Sequence, residues 1–206
     1  HVPDGARYKE RTILQPSDIV TLLNVDTTLY RGRRVPDERI HYYRLAVFTG
    51  MRPGELLGLE WGDIQDGKAL IHRSVTIYKR ETRGKNENAP RAVVLSARSM
   101  AELEAQKELT GMQQRVFIQE EERNVRRGWE RYCEANGITK CTLYELRHTF
   151  VSIAANLPMG QLKQTVGHSR NMDTYGVYSH AINGQDRAIA NNLENVFDEI
   201  VKSTHF

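Results

Sequence analysis

Apolar residues recur at helical spacing along most of this chain, and turn residues cut the pattern into short elements. After an entry segment, Tyr8 to Gln15, a short amphipathic helix follows Ser17, read as its N-cap, and buries Leu22 and Leu23. Arg31-Gly32-Arg33-Arg34 is a basic turn. Glu38 to Thr49 carries Ile40, Tyr43, Leu45, Val47 and Phe48, a buried helix that stops at Gly50. Pro53 suits the first turn of the next helix, where its missing N–H is not needed. Ala69 to Tyr78 is rich in Ile, Val, Thr and Tyr and predicts a strand, with Arg91 to Leu95 as its return partner. Between them, Lys79 to Pro90 reads as a polar hairpin tip on the surface.

Helices fill the rest. Ser99-x-x-Glu102 reads as a capping box opening a helix that ends near Gly111, and a second helix spans Glu121 to Ala135, closed by Asn136-Gly137. Thr142-x-x-Glu145 is another capping box, and its helix runs to about Asn156, before Pro158. Short helices are expected at Gly160–Val166 and Met172–Ile182, and a final amphipathic helix from Gln185 to Lys202. The pattern predicts one α+β domain over residues 1–206, mostly helical, with a small antiparallel sheet at one edge.

Composition narrows the class only modestly. Hydrophobic residues are 39% and charged residues 27%, the mix of an ordinary globular protein. No stretch approaches the roughly 20 apolar residues that span a bilayer and no signal peptide is visible, so no membrane partner is expected, and the cytoplasmic location expected for the chain rests on its cysteines. The first residue is His1 rather than Met, so the chain reads as a piece of a longer protein. Cys133 and Cys141 have no metal-quartet or C-x-x-C spacing and read as two reduced thiols. The net charge of +3 is compatible with nucleic-acid binding without arguing strongly for it.

Four separated segments carry the chemistry. In Thr49-Gly50-Met51-Arg52-Pro53-Gly54-Glu55-Leu56, Arg52 sits on a tight turn between two apolar helices, a rigid mount for a guanidinium fork that suits a phosphate. Alone, it would pass for a surface arginine at a helix end. In Thr142-Leu143-Tyr144-Glu145-Leu146-Arg147-His148, the cap fixes the helix phase, so Tyr144 and Arg147 share a face near the positive helix N-terminus. Glu145 reads as the cap and His148 as packing. His168 follows a helix-ending glycine in Val166-Gly167-His168-Ser169, and Tyr178 lies ten residues later in Val177-Tyr178-Ser179-His180. A single tyrosine in an apolar helix usually belongs to the core; the combination changes that reading.

Taken in this order, the segments resemble the tyrosine recombinase family, which includes integrases of temperate phages and conjugative transposons. TGMRPGELLGL, continued by Leu59, Trp61, Asp63 and Ile64, is similar to the family's first arginine box. LYELRHTF is similar to the second, and VGHS followed by VYSH to the end of the pattern. The resemblance covers roughly Ile13 to Phe197. It implies that Arg52 and Arg147 clamp a scissile phosphate, that His168 hydrogen-bonds a non-bridging oxygen, and that Tyr178 is the nucleophile. It also implies a general-acid lysine in the sheet hairpin before the Arg91-Ala92-Val93-Val94-Leu95 strand, where Lys85 is the first candidate and Lys79 the alternative.

The family usually has H-x-x-R in its second box, whereas Tyr144 stands at the histidine position here. A phenol can donate and accept a hydrogen bond but is a poor general base at neutral pH. Tyr144 therefore positions the phosphate or relays a proton, or the enzyme is slower or inactive. The resemblance further implies double-stranded DNA as substrate, a DNA-bound tetramer, and chemistry without metal or cofactor. It also implies core-binding and arm-binding domains outside this chain. A tail over residues 183–206 would pack on a neighbouring protomer or on its own domain. Two rivals remain open: a type IB topoisomerase-like enzyme that relaxes DNA, and a non-catalytic DNA-binding relative.

Overall fold

The computed structural model describes residues 11–75, 81–82, 91–118, 121–157 and 185–204. The helix at the centre of these residues is α2 (Ile40–Thr49), in which every residue but His41 is buried. A helix buried around nearly its whole circumference needs cover on all sides. Around it lie α1 (Pro16–Asn24), α3 (Pro53–Gly58), α4 (Ala97–Thr110), α5 (Glu122–Asn136), α6 (Leu143–Ile153) and α7 (Gln185–Ser203). Aromatic side chains join these layers. Tyr43 meets Trp129 of α5 at 4.9 Å between ring centroids, and Phe48 meets Phe197 of α7 edge-on at the same spacing. Ile189, Leu193 and Phe197 bury one face of α7 within its own chain, and Arg98 pairs with Glu194 at 2.7 Å on the outer edge. Among the described residues no helix is long and apolar enough to cross a membrane.

The sheet elements are small and antiparallel, as expected, but among the described residues they form three separate sheets and are more finely divided than the apolar pattern suggests. A hairpin of β1 (Thr27–Tyr30) and β2 (Arg33–Pro36) turns at Arg31 and Gly32, both with positive φ. A second turns at Asp66-Gly67, again with positive φ at both residues, and joins β3 (Ile64–Gln65) to β4 (Lys68–Ile71). That backbone twist matches the twist of the flanking strands, which is why Asp-Gly favours it. The predicted strand from Ala69 breaks at His72–Arg73 into β4 and β5 (Ser74–Val75). Arg73 there turns its guanidinium to Asp63 and Glu60, at 2.8 Å each. The return strand β7 (Arg91–Val94) pairs antiparallel with β4, while β5 pairs with β6 (Glu81–Thr82).

Two helix starts differ from the sequence expectation. The N-cap of α1 is Gln15, whose backbone N–H donates to Asp18 at 2.9 Å, because Pro16 is already shaped for the first helical position. The N-cap of α4 is Ser96, whose hydroxyl accepts the Ser99 N–H at 3.3 Å, and Glu102 instead meets His41 at 2.6 Å. The α6 cap is as read: Thr142 and Glu145 exchange hydrogen bonds with each other's backbone N–H. That helix tightens into a 3-10 turn at Ala154–Asn156.

Candidate functional site

The site is built where α2 hands over to α3. Gly50 ends α2 in the left-handed region at φ 61°, and a Cβ there would lie 2.3 Å from the Phe150 ring. Only glycine meets both demands, so α6 can press its Phe150 against the turn. Two residues on, Arg52 is the N-cap of α3, with Pro53 at the first helical position. Gly54 lets α3 approach β5 closely, since a Cβ would stand 2.5 Å from the Val75 carbonyl oxygen. β5, which precedes Lys79 and Lys85 in sequence, thus lies beside the Arg52 helix.

Arg147 comes from the second turn of α6. It is only 6% exposed, and its guanidinium donates to the Gly50 carbonyl at 2.6 Å, tying the two arginine segments together. Burial, then the charges of Arg52 and Arg91, push its pKa down to about 10. It stays protonated at neutral pH, but at an electrostatic cost that an incoming anion would relieve. Arg52 is less enclosed, its side chain 45% exposed. Partial burial disfavours its charge, yet the hydrogen bond and charge of Glu55, with help from Tyr144, hold its pKa above the ordinary arginine value.

Glu55 is a member of the site that sequence reasoning passed over as part of a motif. Its backbone-capping oxygen accepts the Arg52 N–H at 2.8 Å, and its other oxygen accepts the Arg52 side chain at 2.8 Å. Arg91, noted in the sequence only as the start of a return strand, donates to both oxygens at 2.9 Å. Burial works against the carboxylate, but Arg91 and then Arg52 hold its pKa below the usual range. Among Arg52, Arg91, Arg147 and Glu55, positive charges outnumber the negative one three to one. The Arg52-x-x-Glu55 spacing carried a signal for half of this arrangement, the capping contact; the Arg91 contact depends on strand register.

Tyr144 stands on the first turn of α6, 42% exposed, with its hydroxyl among the groups that favour the charged form of Arg52. Its ring meets that of His148 edge-on at 5.3 Å. His148 packs, as expected: burial and then Arg11 lower its pKa, and its Nε2 has no hydrogen-bond partner among the described residues. Glu145 is the cap, held below the ordinary carboxylate range, against a small cost of burial, by bonds from Thr142 and Thr12. The structure therefore brings Arg52, Arg147 and Tyr144 together. Lys79, Lys85, His168 and Tyr178 lie outside the described residues.

The thiols stay apart from this chemistry. Cys133 and Cys141 are buried and unbridged, and burial pushes both upward, Cys141 to about 12. Thiols so placed are inert as nucleophiles.

Comparison with known proteins gives a consistent picture. A family model described as the phage integrase family matches residues 13–184. The ICEBs1 integrase of Bacillus subtilis (strain 168) is 25% identical over 187 residues, an alignment covering 75% of this chain and 48% of that protein. The chain thus spans about half the length of that curated relative. Among solved structures, the Tn1549 transposon integrase, in complex with transposon right end DNA, superimposes with a TM-score of 0.63 at 18% identity. That match covers 91% of this chain and 68% of the other. The lambda integrase catalytic core gives a TM-score of 0.57 at 18% identity, covering 77% of this chain and 96% of the core. At these identities the structural likeness speaks for the fold.

Proposed function

The chain belongs to the phage integrase family, the tyrosine recombinases, and from that premise we propose that it is the catalytic domain of an enzyme that integrates or excises a mobile DNA element. One observation carries the reading. Arg52 and Arg147, from two segments far apart in sequence, meet around the turn at Gly50, beside Tyr144 on the first turn of α6. An anion entering there finds two guanidinium groups, a phenol hydroxyl and the positive end of a helix.

In the proposed reaction, the Tyr178 oxygen attacks the scissile phosphorus. A 3′-phosphotyrosyl bond forms as the bond to the 5′ oxygen breaks. The arginines favour the phenolate and offset the negative charge that develops on the phosphorane. His168 hydrogen-bonds a non-bridging oxygen, and Lys85, or Lys79 in its place, donates the proton that the departing 5′ oxygen needs. Attack by a different 5′-hydroxyl then reverses the step and completes strand exchange. The phosphotyrosine conserves the bond energy, so no ATP is consumed. The guanidinium groups take the electrostatic role that a metal ion fills in other phosphoryl-transfer enzymes. Double-stranded DNA is the partner, with further protomers assembled on it as a tetramer. The apolar face of α7 packs on its own domain, so contacts between those protomers would fall to the outer, polar face of the tail over residues 183–206. The substrate places the enzyme in the cytoplasm of a bacterial or host cell.

The direct test is covalent capture. Incubating the chain with a pool of nicked duplexes of random central sequence should yield protein–DNA adducts that survive denaturation, with a shared sequence at the cleavage point. Absence of any adduct would overturn the catalytic reading in favour of a DNA-binding relative without activity. Relaxation of supercoiled plasmid with no strand exchange between captured sites would instead favour a type IB topoisomerase-like enzyme.

Tyr144 provides a finer prediction. With its hydroxyl beside Arg52 and exposed to an incoming phosphate, Tyr144→Phe should lose one hydrogen bond to a charged group, worth about 1.5–3 kcal/mol. Single-turnover cleavage of the captured duplex should slow about tenfold to a hundredfold. Tyr144→His, which restores the residue usual in the family, should keep or raise the parental rate. Equal rates in parent and Tyr144→Phe would reduce the residue to packing.

A further inference from the structure

The Glu55 carboxylate has no free edge toward the incoming anion. Its Oε1 accepts Arg52 Nη1 at 2.8 Å and Arg91 Nη1 at 2.9 Å, while its Oε2 accepts the Arg52 backbone N–H at 2.8 Å and Arg91 Nη2 at 2.9 Å. The Arg91 contact is thus the two-pronged, parallel form of the arginine–carboxylate pair, the geometry that fixes orientation as well as charge. Both partners are enclosed, with side chains 18% and 8% exposed for Arg91 and Glu55. Arg91 also has a rigid base. It opens β7, is paired in register with Ile71 of β4, and precedes the fully buried Val93 by two positions.

Two consequences follow for Arg52. A carboxylate gripped on both oxygens cannot rotate, so the Nη1 that it accepts from Arg52 is held at a fixed place. The remaining N–H donors of that guanidinium lie on the Tyr144 side of the site, clear of the Glu55 carboxylate. The charge of Glu55 would otherwise cancel Arg52 and repel a phosphate; the fork of Arg91 cancels it from behind. We propose that Arg91 is a positioning residue: by engaging both Glu55 oxygens it sets the Arg52 fork and keeps its charge available to the scissile phosphate. This inference deepens the recombinase reading and rests on it.

The test uses inorganic phosphate and the captured duplex side by side. In the 15N-labelled chain, the Arg52 side-chain N–H resonance is followed during phosphate titration, and single-turnover cleavage is measured with the duplex. Arg91→Ala should weaken phosphate binding and slow cleavage, each roughly tenfold or more. Arg91→Lys, with the charge but not the fork, should fall between. Adding Glu55→Gln to Arg91→Ala should recover the part of each loss that comes from the uncompensated Glu55 charge, because the neutral amide no longer cancels Arg52, and leave the part that comes from the lost orientation of its fork.

A pH profile separates positioning from a merely structural role. In Arg91→Ala, Glu55 loses its main stabilising partner, so its pKa rises. The rate relative to parent should then climb as acidification protonates it, and the climb should vanish in the double variant. Parental phosphate binding in Arg91→Ala would overturn the proposal, and so would a loss that neither Glu55→Gln nor acidification relieves. The phosphate arm needs no cleavage. A parent that binds phosphate but forms no adduct would thus sink the recombinase reading while leaving the Arg91 proposal to stand or fall on its own data.

Discussion

Replacing Tyr178 by phenylalanine is expected to abolish the covalent DNA adduct completely, while Tyr175→Phe leaves it intact. The expectation is all-or-none because, in the proposed reaction, the phenol oxygen itself becomes bonded to phosphorus. Every other group in the proposed site lowers the barrier; this one supplies an atom. Loss of a stabilising donor leaves a residual rate, whereas loss of the nucleophile leaves no phosphotyrosine to detect. Tyr178 is singled out by the VYSH motif ten residues after His168, and Tyr175, three positions earlier, is the natural control because it flanks the same motif. Denaturing electrophoresis of the capture reaction reports the adduct, and mass spectrometry of the digested complex reports which tyrosine carries the nucleotide. Adducts from the Tyr178→Phe protein would place the nucleophile elsewhere.

A contrast between local and long-range signals explains what the sequence made legible. The α6 cap, the stop of α2 at Gly50 and the Pro53 start of α3 were all readable, since each depends on backbone demands satisfied within four residues. Arg52 and Arg147 were readable because those caps fix their mounts. The two hairpin turns also had a local signal, Asp66-Gly67 above all, but strands of two to four residues are too short for alternation to register. Ser96 lost to Ser99 in the reading of α4 because both are serines within reach of the same turn, and only the folded chain decides which hydroxyl caps it. The Arg91–Glu55 fork had no local trace. It exists because β7 pairs with β4 in one register, Ile71 against Arg91, which delivers the side chain to a helix start 36 positions earlier. A slip of one residue would turn Arg91 to the opposite face of the sheet.

Arg147 should show function and stability moving apart. The side chain is 6% exposed, and burial together with Arg52 and Arg91 pushes its pKa down to about 10. Keeping its charge in the folded state is therefore costly. Arg147→Met preserves much of the length and apolar contact of the stem while removing that charge. The substitution also strips the Gly50 carbonyl of a donor at 2.6 Å, a loss of about 1–3 kcal/mol. Relief of the desolvated, mutually repelling charge acts in the other direction, as when buried ionic groups are replaced by apolar ones of similar volume. The two contributions roughly offset, so the thermal midpoint should stay within a few degrees of parent. Cleavage has no such offset. With one of two preorganised cationic donors gone, the single-turnover rate should fall by roughly 10²–10³. Arg52→Ala, at a half-exposed position, should lose a similar factor. Circular dichroism melting and single-turnover cleavage on the same preparations decide the matter. A variant that cleaves at the parental rate would remove Arg147 from the clamp. One whose melting point collapses along with its rate would make Arg147 a structural tie to Gly50 rather than a phosphate ligand.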